Sequence, residues 1–401
     1  MLDSAKISAQ YQEALFRSIL PFWLSHSRDA LCGGYFNSLL DTGEVFDTDK
    51  HIHLQAQQAW AFGWLYNRVD AQSAWLDLAR HGIDFLKKWG RSDEDGRWFG
   101  IVDRRGRPVA PAPTVVPDCF ATMALAQWHT TTGDEEAAAL AVETLETILE
   151  HRRHQHRQWE NELGSFRVYK HLSEPMMLLK ALLETQALLD PDVYQAAYEQ
   201  TIHELLNEFV DRRINLLREN ILPGGGFSDS STGRRIHPGL GFETAGYLLE
   251  AAALNKNRRL AQQVMTLVFH LADLSWDDQQ GGFFQYIDLK ERPCVDSEWD
   301  RKLAWVHLEA AAVLAQGYAL TQHPDGEKWL KRVHEYLWTH FSDKNGKEWF
   351  GTLDRNGHPV NAVKASPQKG CYHSIKSLHT IWRSLEKLPA ARGAMGKWVS
   401  G

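Results

Sequence analysis

Apolar residues recur at helical spacing along most of the chain, in long segments separated by short connections rich in glycine. Start and stop signals divide this pattern into about twelve helices. One start is marked by Asp190 before Pro191, and Asp118 is expected to cap another. The pattern predicts an all-α protein with helices at 4–25, 49–69, 72–89, 117–132, 134–154, 172–189, 191–213, 239–256, 257–274, 300–322, 325–341 and 370–387.

Two short segments of the chain occur twice. The twelve residues from Trp98 agree at eight positions with those from Trp349, and Gly-Gly-Tyr-Phe at 33–36 recurs as Gly-Gly-Phe-Phe at 281–284. The nearly equal offsets indicate a repeated unit of helix, strand-bearing loop and helix. Six such pairs closed into a ring would have no exposed ends. We therefore expect an (α/α)6 toroid with short β-hairpins in the inter-helix loops, as one domain over 1–390 with a C-terminal tail at 391–401.

Composition and charge exclude several classes of protein. The net charge is −7 and no basic cluster dominates, so nucleic acid is not an expected partner. No apolar run reaches the roughly 18 residues of a membrane-spanning helix, and the first residues lack the apolar core of a secretory signal. The four cysteines lack the spacing of a zinc site or a disulfide framework. These features predict a cytoplasmic protein without a membrane partner.

Polar and aromatic residues collect where the first turns of alternate helices would meet, at one mouth of the ring. Lys302, Trp305 and Glu309 share a helix face, because they are spaced by about one turn each. Carboxylates, imidazoles and aromatic rings together suit a sugar, whose hydroxyls need hydrogen-bond partners and whose apolar face packs on an aromatic ring. The candidate site residues are Gln57, Asp118, His237, Glu243, Lys302, Trp305, Glu309 and His373.

These motifs, taken in order, resemble the N-acylglucosamine 2-epimerase family, which has cellobiose 2-epimerases and mannose isomerases as relatives. The resemblance is carried by 33–36, Asp118-Cys119-Phe120, Pro175-Met176-Met177-Leu178-Leu179, Pro238-Gly239 with Glu243, Lys302 to Glu309, and Lys369-Gly370-Cys371-Tyr372-His373. It implies an (α/α)6 barrel, a free reducing sugar as substrate, and proton abstraction next to the sugar carbonyl through an enediol or enediolate. It also implies that no metal or redox cofactor takes part and that a homodimer forms. A nucleotide activator is left open.

The chain departs from the family pattern at three positions. Gln57 stands where family members usually have arginine, Leu240 where they have a histidine after Pro-Gly, and Lys376 where an arginine is common. Of the two imidazoles that the family is thought to use as acid and base, His373 is thus the one retained.

The resemblance assigns His373 as principal acid and base, with Glu243 and Glu309 assisting proton transfer or holding hydroxyls. The expected pocket lining is Gln57, Asp118, Lys302, Trp305 and His237.

Several reactions stay open at this point. Inversion at C2 is simplest with one acid-base group on each face, whereas one base can move a proton between C2 and C1 on a single face. Loss of the imidazole at Leu240 favours isomerisation, or epimerisation aided by Glu243, Glu309 or His237. A glycoside hydrolase would need its two carboxylates about 5 Å apart for retention or about 6.5–9.5 Å apart for inversion. A sugar-binding relative without catalysis is the third alternative.

Overall fold

The computed structural model describes residues 3–161, 168–345 and 347–388, except for the side chains of 154–161. Helices dominate the described part, which confirms the prediction of a mostly helical protein. The predicted tail at 391–401 lies outside the described residues. The α-helices are α1 (Ser4–Ala14), α2 (Leu20–His26), α3 (Ile52–Arg68), α4 (Ser73–Trp89), α5 (Val116–Thr132), α6 (Glu135–Asn161), α7 (Ser173–Thr185), α8 (Pro191–His203), α9 (Ser231–Arg234), α10 (Pro238–Leu254), α11 (Arg258–Ser275), α12 (Ala304–Thr321), α13 (Pro324–Tyr336) and α14 (Tyr372–Glu386).

Two helix starts test the predicted caps. Asp190 caps α8, and its Oδ1 accepts the backbone N–H of Asp192 at 3.0 Å. The predicted cap at Asp118 is wrong, because α5 begins at Val116 and Asp118 lies inside its first turn. The reason is Pro117, which tolerates the first helical turn and lets the helix begin before the aspartate.

Alternate helices contact each other in a closed circuit, in which α3 packs on α5, α5 on α7, α7 on α10, α10 on α12, α12 on α14, and α14 on α3. A second set lies outside, with α4, α6, α8, α11, α13 and α1 packed on α3, α5, α7, α10, α12 and α14 respectively. The sequence pattern accounts for the division. Helix α12 buries nearly every residue from Ala304 to Ala315, whereas α13 buries one stripe that includes Trp329 and Val333.

Short antiparallel strands lie in the loops, and most of them precede an inner helix. The strands are β1 (Ser38–Leu40), β2 (Val45–Asp47), β3 (Lys50–His51), β4 (Phe99–Val102), β5 (Pro108–Pro111), β6 (Lys170–His171), β7 (Val210–Asp211), β8 (Leu216–Leu217), β9 (Asn220–Ile221), β10 (Arg235–Ile236), β11 (Ile287–Asp288), β12 (Lys302–Leu303), β13 (Thr352–Leu353) and β14 (Val363–Ala365). They pair in the orders β14-β1-β2, β3-β4-β5, β6-β9, β7-β8, β10-β11 and β12-β13. β12 meets β13 with Lys302 opposite Leu353, at the entrance to α12.

The repeated sequence segments form equivalent turns. Gly106 and Gly357 have φ of +89° and +85°, a region that side chains other than glycine disfavour. In each turn the preceding aspartate accepts a backbone N–H, from Arg107 to Asp103 and from His358 to Asp354, both at 2.9 Å. The sequence repeat is therefore a structural one. Among the described helices, none is long and apolar enough to cross a membrane.

Candidate active site

Trp305, in the first turn of α12, contacts imidazoles from both neighbouring inner helices. Its ring centroid is 5.1 Å from that of His373, the second residue of α14, and 5.0 Å from that of His237, which precedes α10. Gly239 allows this approach, since a Cβ at that position would lie 2.4 Å from the indole. Three predicted site residues thus meet at the N-terminal ends of adjacent inner helices.

Trp305 also forms one wall of a cleft of about 320 Å³. This volume lies within the range of small-molecule sites, roughly 300–1,000 Å³. An indole facing hydroxyl, amide and ammonium groups suits a polar ligand with one apolar face. The lining residues are Phe46, Leu303, Trp305, Gly351, Thr352, Asn361, Val363, Ser366, Pro367, Gln368 and Lys369.

One helical turn deeper, the buried carboxylate of Glu309 holds His373. Glu309 Oε1 lies 2.7 Å from His373 Nδ1 and 3.2 Å from Ser377 Oγ, and Lys376 Nζ is 2.9 Å away. Because a carboxylate only accepts hydrogen bonds, Nδ1 carries the proton, and Nε2 is the basic nitrogen of the neutral ring. Burial alone would raise the pKa of Glu309, but Lys376 and His373 outweigh it and lower the pKa to about 2. Glu309 therefore remains ionised and fixes the tautomer of His373.

The second buried carboxylate, Glu243, joins the same group from α10. Glu243 Oε1 accepts the hydroxyl of Tyr247 at 2.6 Å, and that hydroxyl lies 2.9 Å from the hydroxyl of Tyr372. Burial, then the charge of Glu243, raises the pKa of Tyr247, so the phenol remains protonated. Lys376 Nζ is 3.8 Å from Glu243 Oε1 and is therefore shared by two carboxylates.

Glu243, Glu309 and His373 each offer a ligand atom within 4.8 Å of the others, a spacing that could hold a metal ion. Both oxygens of Glu309 and Oε1 of Glu243 already have partners in this chain. His373, Lys376 and Ser377 bind Glu309, while Tyr247 and Lys376 neighbour Glu243. A metal ion here would have to displace the ammonium group of Lys376.

Gln57 lies at the edge of this group. It is buried on α3, and its Oε1 is 3.1 Å from where a Cβ on Gly370 would lie. Gly370 precedes His373 by three residues, so the amide of Gln57 borders the loop that leads into α14. Leu240, which the resemblance predicts to stand at the position of a family histidine, is a partly buried residue packed against the hydrophobic core.

Asp118 binds a loop and does not join the imidazoles. Its Oδ1 accepts Arg97 Nε–H at 2.9 Å, and burial raises its pKa despite this arginine. The same oxygen accepts a backbone N–H, a role that Gln55 and His307 have at similar positions of α3 and α12. The three N–H donors are those of Trp98 to Asp118 (3.4 Å), Tyr35 to Gln55 (2.7 Å) and Phe283 to His307 (2.8 Å).

Lys302 is likewise turned away from the cleft. Its fully buried Nζ lies 3.1 Å from Asp277 Oδ2, and burial lowers its pKa to about 8. The N-terminal half contains the same arrangement, with Lys50 Nζ 3.1 Å from Asp29 Oδ2. Each aspartate also binds an arginine of the repeated hairpins, Arg355 to Asp277 and Arg104 to Asp29, both at 2.9 Å.

Sequence reasoning did not include Lys376, Tyr247 or Tyr372 among the site residues. A signal was present for two of them. Tyr247 follows Glu243, and Lys376 follows His373, by one helical turn, so each pair shares a helix face. Tyr372 has no such signal, because its position directly before His373 points it toward a different side of the helix.

Comparison with known proteins defines the class. A family profile described as N-acylglucosamine 2-epimerase (GlcNAc 2-epimerase) matches residues 34–377. The N-acylglucosamine 2-epimerase of Mus musculus is 30% identical over 374 residues, which cover 90% of this chain and 87% of the relative. That of Homo sapiens is 30% identical over 375 residues, with coverages of 90% and 86%. The chain belongs to the N-acylglucosamine 2-epimerase family, and this membership confirms the prediction of a sugar epimerase or isomerase.

Solved structures share the fold. The cellobiose 2-epimerase of Spirochaeta thermophila matches with a TM-score of 0.79 at 22% identity, covering 96% of this chain and 97% of that one. A D-mannose isomerase matches with a TM-score of 0.79 at 17% identity, with coverages of 95% and 98%. A GH76 α-mannanase of Bacteroides thetaiotaomicron is more distant, with a TM-score of 0.56 at 10% identity and coverages of 96%.

Proposed function

We propose that this protein transfers a proton at the carbon next to the carbonyl group of a ring-opened reducing sugar, with His373 Nε2 as the base. The observation that carries the proposal is the 2.7 Å contact between His373 Nδ1 and the ionised Glu309, which leaves Nε2 basic. The closed circuit of inner helices supports an (α/α)6 toroid formed as one domain, with the sugar in the cleft beside Trp305.

The reaction balances without an external acid or base. His373 Nε2 takes the proton from C2, and the electron pair of that bond forms C1=C2 while the carbonyl electrons move to O1. A proton then passes from O2 to O1, the C2 carbonyl forms, and C1 takes the proton back from Nε2. The result is interconversion of an aldose and a ketose on one face of the enediolate.

Leu240 is the reason for preferring this reaction to inversion at C2. Inversion needs a second group that delivers a proton to the opposite face. An isobutyl side chain packed against the core cannot do so. The geometry therefore favours a sugar with a hydroxyl at C2, of the mannose and fructose type.

Epimerisation of an N-acyl sugar is the second candidate. The relatives that are 30% identical over 90% of this chain are named N-acylglucosamine 2-epimerases. An N-acyl sugar bears nitrogen at C2, so its proton must return to C2, and a new product forms only if it returns from the other face. In this chain, Glu243 and its partner Tyr247 would be the acid on that face, one turn below the cleft.

Glycoside hydrolysis fits the site less well. Glu243 and Glu309 both neighbour the ammonium group of Lys376, which favours the ionised form of each, whereas a hydrolase needs one of its two carboxyl groups protonated. With its pKa lowered to about 2, Glu309 is also a poor proton donor to a leaving group. The ammonium group of Lys376 also supports a reaction without a metal, because it already offsets the negative charge of Glu243 and Glu309 that a metal ion would offset.

The test is solvent exchange in heavy water with purified protein and mannose, fructose, glucose, N-acetylglucosamine and N-acetylmannosamine, followed by NMR. Deuterium at C1 and C2 with aldose–ketose interconversion is the expected result. Deuterium confined to C2 of the N-acetyl sugars, with inversion, would establish the second candidate. Binding of a sugar without exchange in any of the five would overturn the proposed function and identify a binding protein.

A further inference from the structure

His237 is a second imidazole at the same indole, and its local contacts fix its protonation. It precedes α10 as the capping residue, and its Nδ1 accepts the backbone N–H of Gly239 at 3.2 Å. An accepting Nδ1 carries no proton, so the neutral ring has its proton on Nε2. Burial lowers the pKa of His237 to about 4, and the ring is therefore neutral at pH 7.

The surroundings hold this ring in place without charging it. Tyr286 packs edge-on against the imidazole at a centroid distance of 4.9 Å, and Trp305 packs against it in a tilted arrangement at 5.0 Å. The nearby charges are Glu219, Arg235 and His171. Glu219 is bound by Arg235, with Nε 3.1 Å from Oε1, and His171 Nε2 is 3.5 Å from the same oxygen. Oε1 of Glu219 is thus bound by groups other than His237, and its buried Oε2 has no hydrogen-bond partner among the described residues.

We propose that His237 donates a hydrogen bond from Nε2 to the carbonyl oxygen of the sugar and stabilises the negative charge that develops there. This inference rests on the proposed function and names the electrophilic partner of the same step. Both imidazoles contact Trp305, and their tautomers are opposite, so Nε2 accepts on His373 and donates on His237. The C–H group that loses its proton needs an acceptor, and the adjacent carbonyl oxygen needs a hydrogen-bond donor.

The proposal also explains why His237 does not replace the missing imidazole at Leu240 as a second base. Its Nδ1 is occupied by the backbone of Gly239, and its Nε2 has no lone pair to accept a proton. The chain therefore has one base and one neutral donor. Removing a single donor of this kind from an oxyanion site typically costs about 10²–10³ in turnover.

Two substitutions separate the donor from the helix cap. In His237→Asn the amide oxygen takes the place of Nδ1 and keeps the cap, but nothing reaches the position of Nε2. In His237→Gln the longer amide places an N–H near the position of Nε2 and loses the cap. We expect turnover in the order wild type, Gln, Asn, with Asn lower by about 10²-fold or more. We expect thermal stability in the other order, with Asn near wild type and Gln lower by about 2 °C or more.

His323 provides the matched control. It caps α13 in the same way, with Nδ1 accepting the backbone N–H of Asp325 at 3.3 Å, but it lies on the outer ring. His323→Gln should lower stability as His237→Gln does and leave turnover unchanged.

Two results overturn the donor role: full turnover in His237→Asn, or a Gln variant no more active than the Asn variant. If the wild-type protein exchanges no sugar proton at all, the proposed function fails instead. Because the donor stabilises the enediolate formed when the C2 proton leaves, His237→Asn should lose C2 deuterium exchange together with product formation; exchange at the wild-type rate would also contradict the donor role.

Discussion

Two of the buried lysine–carboxylate groups in this molecule differ in how they are repeated and in their access to solvent. The group of Lys302 and Asp277 recurs in the other half as Lys50 and Asp29, with all four side chains almost inaccessible to solvent. In the described residues the group of Lys376, Glu309 and Glu243 has no such counterpart. It lies directly beneath the partly exposed His373, so its charge reaches a residue that a ligand can touch.

This difference between the two halves indicates how a repeated fold can contain a single site. In both halves the lysine is followed seven residues later by an inner-helix side chain, Gln57 after Lys50 and Glu309 after Lys302. The lysine was retained in both halves, and the later position differs. A duplicated group anchors the hairpins, whereas Glu309, which we propose positions the base, stands at a position that differs between the halves.

The largest expected effect is on the group that holds the partly exposed His373. His373→Ala should lower turnover by about 10²–10⁴-fold, because it removes the base while Glu309 keeps its pairing with Lys376. Steady-state rates and deuterium exchange measure this effect, and circular dichroism checks the fold. Turnover above a tenth of wild type would mean that another group is the base.

Replacing each of the two lysines by methionine tests the difference between the two groups. Lys376→Met should abolish most turnover, because two buried carboxylates then face each other without a cation. Lys302→Met should cost about 3–5 kcal/mol of folding free energy by leaving Asp277 short of a partner, with the turnover of the folded protein retained. Urea unfolding measures the loss of folding free energy in each variant, and steady-state kinetics measures the loss of turnover. Lys50→Met, in the equivalent group of the other half, is the matched control for Lys302→Met. Equal losses of turnover in Lys302→Met and Lys376→Met would remove the distinction.

The pH dependence of stability should distinguish the same groups. The unfolded carboxyl of Glu309, near 4.5, takes up a proton before the folded one at about 2, so the unfolded state binds more protons between these values. Stability from this group is present above pH 4.5 and is lost as the pH falls toward 2. The stability gap between wild type and Glu309→Gln should therefore narrow by on the order of 2 kcal/mol over this range. A constant gap between pH 5 and pH 2.5 would contradict the assignment.

The smallest effect concerns Ser377, the neutral partner of Glu309. Ser377→Ala should cost about 1 kcal/mol and change turnover by only a few fold, because His373 and Lys376 continue to hold the carboxylate. Thermal unfolding and steady-state kinetics measure both quantities. A loss as large as that of Lys376→Met would show that the hydroxyl, and not the ammonium, positions Glu309.

Much of this arrangement could be predicted from the sequence. Helical periodicity and the repeated hairpins indicate the helices and their loops, and His373, Glu309 and Glu243 are brought together as a group. The roles of these residues, the homodimer and the cytoplasmic location stay predictions. Asp118 and Lys302 could not be separated from the site by residue type, because a carboxylate or a lysine in a first turn serves a loop or a ligand equally well. Only the fold reveals which way each side chain is directed.

The contact between α1 and α14, called the seam here, affects the order in which the protein folds. Helix α14 carries His373 and Lys376 and packs on α1, with Ser8 Oγ donating to Trp382 O at 3.2 Å across 374 residues of sequence. Contacts so distant in sequence form slowly, so ring closure is expected to be a late event in folding. A newly synthesised chain thus has no complete centre until α14 has packed on α12. A ligand that binds only the complete centre stabilises the closed ring by mass action.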